Sequence, residues 1–133
     1  MNETNQEIKE LQITRGTYSP IDVTATDDDG FDYVFKVGDI VRIRVYDKGN
    51  CNNVVLIKDA EITKETTVAQ IILEKEDTLI GEPINKSKVY WYEIELNPGT
   101  RPQMIIGYEY DEENKKDDPK IFRLLPKGCD KEW

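Results

Sequence analysis

The chain has 133 residues, 34% charged and 38% apolar, with a net charge of −9 and a sequence pI near 4.6. A chain of this length fits one domain that buries roughly 65–70% of its unfolded surface. So acidic a surface repels phosphate backbones and anionic lipid, which excludes nucleic acid and membrane as expected partners. Histidine is absent, so the commonest general base and the commonest metal ligand are both missing. No catalytic constellation, metal site or cofactor is expected. Cys51 and Cys129 form neither a CxxC nor a metal spacing. Two free thiols are the expectation; a disulfide would need the fold to bring their Cα atoms within about 7 Å.

Residues 1–10, MNETNQEIKE, are polar with one isoleucine and read as a flexible leader rather than a signal peptide. The spacing of Ile8 and Leu11 allows a short helix as the alternative. From Leu11 onward the pattern turns to strands. LQITRG ends at Gly16, and Pro20–Thr26 alternates Ile21, Val23 and Ala25 inward with Asp22, Thr24 and Thr26 outward. Asp27-Asp28-Asp29-Gly30 then closes a hairpin onto Phe31–Lys36, since Asp-Gly between alternating strands supplies the positive φ a tight turn needs. A calcium loop aligned on Gly30 would want acids where Ala25 and Lys36 stand, so an ordinary acidic turn is expected. Tyr33 and Phe35 alternate up to Val37-Gly38-Asp39, a turn, after which Val41, Ile43 and Val45 resume the alternation around Arg42 and Arg44.

Asp47–Asn53 is a Gly/Asn-rich loop by composition. Val54–Lys58 and Ala60–Ile62 supply a strand with a possible break near Asp59, and Thr66–Leu73 supplies the next. Glu74–Pro83 reads as an acidic turn or a single helical turn capped near Asp77. Lys88–Leu96, KVYWYEIEL, puts Tyr90, Tyr92, Ile94 and Leu96 on one face and Trp91, Glu93 and Glu95 on the other. Glu93 and Glu95 sit roughly 6.5–7 Å apart along the strand, a spacing with glycosidase precedent, but a wet strand face is the plainer expectation. Asn97–Thr100 turns the chain into a return strand over Pro102–Tyr110. Asp111–Asp118, DEENKKDD, reads as a solvated loop. Pro119–Leu125 is the last strand and an edge. Eight or nine short strands with turn signals between them predict an all-β, single-domain antiparallel sandwich over 11–126, of Ig-like or related type, with a tail at 127–133.

The order of these pieces resembles the N-terminal β-domain of baseplate-upper-type tail proteins from phages and prophages of Gram-positive bacteria. The likeness runs through ITRG at 13–16, then Gly30, Tyr33, Phe35, Gly38, Asp39 and Val41. EDT at 76–78 follows, then Tyr90, Tyr92, Ile94 and Leu96, and finally Phe122, Leu124 and Pro126. The resemblance implies a virion structural protein made in the bacterial cytoplasm. It would dock other tail or baseplate proteins, assemble symmetrically and catalyse nothing. Trp91 and Trp133 are the candidate contact residues, because exposed aromatics concentrate binding energy. The same aromatics support an alternative expectation, a carbohydrate-binding sandwich at a cell or virion surface.

Overall fold

A computed structural model describes residues 10–128. The proposed leader, Cys129 and Trp133 lie outside the described residues apart from Glu10, which opens the first strand. Ten strands follow one another: β1 Glu10–Thr14, β2 Ser19–Val23, β3 Ile40–Asp47, β4 Asn50–Glu61, β5 Ala69–Leu73, β6 Lys88–Leu96, β7 Gln103–Ile106, β8 Glu109–Asp111, β9 Lys116–Asp118 and β10 Lys120–Leu125. The main sheet runs β1-β10-β6-β3-β4, and β7 adds beside the C-terminal half of β6; β2 and β5 form a second, two-stranded sheet.

The all-β sandwich is as the sequence predicts, with three corrections. Among the described residues there are ten strands rather than eight or nine. The sheet is mixed, because β1 runs parallel to β10 with Leu11 opposite Phe122 and Ile13 opposite Leu124. That pairing also makes β10 an interior strand, where the Pro119–Leu125 segment reads as an edge.

Side-chain phase builds the core. Val41, Ile43 and Val45 stand opposite Leu96, Ile94 and Tyr92 across β3 and β6, and all six are at most 4% exposed. Phe122 and Leu124 of β10 extend this layer, while Ile21, Val23, Ala69, Ile71 and Leu73 of β2 and β5 close it from the other side. Cross-strand apolar pairs of this kind are the unit that stabilises a sheet.

The outer face of the same strands carries a charge ladder. Arg42 forks onto Asp59 at 2.7 and 3.1 Å, and Arg44 meets Glu93 at 3.0 Å.

Two joints hold the loops. At the first, the Asp39 carboxylate accepts bonds from the Lys36 N–H, the Tyr33 hydroxyl and the Asn97 side-chain amide at 2.9, 3.0 and 3.1 Å. Asn97 in turn accepts the Ile40 N–H. Burial pushes Asp39 up, but these bonds outweigh it and hold the carboxyl below its usual range. Gly38 takes φ +96° here, which a side chain would resist. At the second joint, the fully buried Thr78 and the buried Arg15 clamp the 74–81 loop onto the β1–β2 turn.

The segment between Thr26 and Asp39 differs from its predicted form. It makes single bridges, Thr26 to Asp32 and Phe35 to Thr66, instead of a ladder. In the DDDG turn the Asp27 carboxylate is occupied by the backbone, accepting the N–H of Asp29 and of Phe31 at 3.0 and 2.9 Å, and Gly30 supplies φ +88°.

Candidate interaction surface

Trp91 lies on the outer face of β6, with Ile121 beside it on β10 and Tyr46 beside it on β3. It is half-buried, and its ring meets Tyr108 in a T-shaped contact with centroids 5.8 Å apart. Tyr108 itself is 51% exposed, so the accessible aromatic here is a pair, one ring of which sequence phase did not single out. Glu93 is ion-paired with Arg44, as described, and Glu95 faces Arg42 across the β3–β6 ladder. The two carboxylates thus belong to the charge ladder of the sheet. Trp133 and the Cys51–Cys129 question fall outside the described residues, although the Cys51 backbone sits in β4.

Between β2 with its extension to Asp28 and strands β6–β7 lies a cleft of about 780 Å³, lined by Ile21, Val23, Tyr92, Ile94, Ile106 and Lys120 among others. Tyr92 and Lys120 are cross-strand partners on its inner face. Lys120 is buried and spends its ammonium on Glu109, on the Asp118 carbonyl and on the Asp118 carboxylate, which seats the β8–β9 hairpin. The Tyr92 hydroxyl is buried with no hydrogen-bond partner among the described residues. Burial pushes its pKa up to about 12.

That gives a signed prediction. An unfolded tyrosine ionises near 10, so between pH 10 and about 12 the folded chain keeps a proton the unfolded chain has lost, and stability falls as pH rises. Tyr92→Phe should remove that part of the alkaline slope in urea titrations. At pH 7 it should cost none of the ~1 kcal/mol a bonded hydroxyl contributes. A clear loss at neutral pH would mean the hydroxyl has a partner.

The longest edge strand is β4, twelve residues whose only strand neighbour among the described residues is β3. The sequence places Val54–Lys58 and Ala60–Ile62 in a strand, as found without the break near Asp59, but reads its start at Asn50–Asn53 as loop because Asp47–Asn53 has loop composition. The chain instead reverses at Lys48-Gly49 and enters β4 at Asn50, with the Asn53 amide donating to Asp47 across the irregular start of the ladder. Val54-Val55-Leu56-Ile57 forms the apolar middle of the edge, and Lys58 follows, paired with Asp77 at 2.8 Å. Ile57 is 49% exposed and Leu79, on the neighbouring loop, 46%. A groove of about 640 Å³ runs beside this stretch, lined in part by Val55, Leu56, Ile57, Leu79 and Ile80. Natural proteins usually blunt such edges, and an open, partly apolar one is a template for pairing.

Fold and surface together define an all-β sandwich module whose longest edge strand among the described residues is β4. Compared with protein-family models, curated proteins and solved structures, the chain matches none of them.

Proposed function

We propose that the protein is a non-enzymatic structural and assembly module of a phage or prophage tail or baseplate, and that it binds other virion proteins. The open edge of β4 carries this reading, since strand addition to such an edge supplies main-chain hydrogen bonds for affinity and side-chain pockets for specificity. The order of sequence motifs that resembles baseplate proteins supports it. The joints at Asp39 and Thr78, which those motifs supply, present the loops that flank the edge. The test is co-elution with purified products of the neighbouring tail genes. A stable complex whose formation protects β4 amides from exchange is expected. Failure of every such protein to bind would sink the reading.

The Trp91–Tyr108 pair favours a second reading, carbohydrate binding on the outer face of β6. It predicts a glycan-array signal that Trp91→Ala abolishes; an empty array would remove it.

A further inference from the structure

The edge of β4 is complementary to itself in one register. The Ile62 N–H donates to the Asp39 carbonyl at 2.9 Å, one residue outside the Ile40–Glu61 pair, which makes that pair a non-hydrogen-bonded one. Alternation from there turns the backbone groups of Ala60, Lys58 and Leu56 toward β3 and those of Glu61, Asp59 and Ile57 outward. We propose that a second copy of this chain pairs antiparallel with β4 about a two-fold axis at Ile57, joining two six-stranded sheets into one. The inference rests on the reading of β4 as an assembly edge and names its partner.

Charge and ladder phase select the register. Outward-facing residues must pair with outward-facing residues, so the axis can fall at Leu56, Ile57, Lys58 or Asp59. An axis at Lys58 sets two ammonium groups opposite each other, and one at Asp59 sets two carboxylates opposite each other; both are unfavourable. An axis at Leu56 makes Ile57–Val55 the central outward-facing pairs, and Val55 is the extra residue where the ladder steps from Val45–Leu56 to Tyr46–Val54; an axis at Ile57 moves Val55 out to a flanking pair. At Ile57 the two isoleucines face each other, Leu56 faces Lys58, and Val55 faces Asp59. No like charges oppose, and Lys58 and Asp59 keep the partners they already have in Asp77 and Arg42. The exposed Ile57 is covered in this arrangement, and the incoming strand runs along the groove walled by Leu79. Each copy carries a net charge of −9, so salt should strengthen the dimer by screening the repulsion between copies.

Sedimentation equilibrium on the full chain over a concentration series tests this. A monomer–dimer equilibrium that tightens with salt is expected. Ile57→Lys should weaken it at least about tenfold, since it sets like charges at the axis. Its unfolding midpoint should hold, because the side chain is half exposed in the monomer. Mixing Ile57→Lys with Ile57→Glu should give a heterodimer tighter than either variant forms alone. A wild type that stays monomeric up to ~1 mM, a dimer indifferent to Ile57→Lys, or no gain on mixing each overturns the proposal. A monomeric wild type would leave the virion-assembly reading to stand or fall on binding to neighbouring tail proteins, so the two failures are distinguishable.

Discussion

Phe35→Ala should destabilise the protein by about 3–5 kcal/mol, the range for emptying a buried phenylalanine site. Phe35 is completely buried, and its ring meets Tyr33 edge-on with centroids 5.1 Å apart. Its position makes the loss more than a cavity. The chain between Thr26 and Asp39 makes no ladder; besides the Asp27 turn and the Asp39 joint, it is held by Tyr33 N–H to Ala25 carbonyl and Gly38 N–H to Ile62 carbonyl, each at 2.9 Å, and by Phe35 N–H to Thr66 carbonyl at 2.8 Å and Thr66 N–H to Phe35 carbonyl at 3.3 Å. The ring is the one buried side chain of the segment and so ties it to the core. Urea denaturation measures the global loss. Amide exchange should show Tyr33 and Phe35 opening well before Ile94 of β6, since local opening starts where buried contacts are fewest. Val34→Ala, one residue away and 42% exposed, should stay within about 0.5 kcal/mol of wild type. Equal losses from the two variants would mean that the segment is not anchored through the core.

Phe35 also shows which parts of the fold the sequence makes legible. Its inward phase follows from alternation with Val34 and Lys36, and the same rule fixes every buried residue of KVYWYEIEL. Period-two phase depends only on which face is dry, and that is written locally. Partner choice is not. The parallel neighbour that buries β10 comes from β1, whose Leu11 lies more than a hundred residues from Phe122, and nothing near either strand announces it. Composition misleads in the other direction. Asn50–Asn53 looks like loop and DEENKKDD looks like solvated coil, yet each adds ladder residues around a short reversal, because edge and hairpin strands can be polar on both faces. The polar start of the candidate edge is masked for that reason, while its apolar middle, Val54–Lys58, reads as strand. Trp91 was visible as an aromatic on the polar face, but its partner Tyr108 lies past the break that ends β7, where phase no longer carries over.

Thr78→Val is the complementary case, a loss of about 2–4 kcal/mol with almost no change in shape. The Thr78 hydroxyl accepts the N–H groups of Gly16 and Thr17 at 2.8 and 3.0 Å, and it has the Thr17 and Lys75 carbonyls, each at 3.1 Å, as acceptors for its own proton. Valine fills the same space but leaves two backbone donors without a partner, each costing about 1–3 kcal/mol where water cannot replace it. Thr78→Ser keeps the oxygen and should lose no more than ~1 kcal/mol for one buried methyl group. Arg15 holds the same loop from the other side, donating to the Ile80 and Gly81 carbonyls at 3.2 and 2.6 Å. Removing both residues should therefore cost less than the sum of the single losses, because the second substitution acts on a loop already released. Leu79 lies within that loop and walls the groove beside β4. Thr78→Val should thus loosen association as well as folding, whereas Ile57→Lys should change association alone. Chemical denaturation and sedimentation on the same two variants separate the contribution of the clamp from that of the edge it supports. A Thr78→Val protein as stable as Thr78→Ser would show that the clamp does not hold the loop.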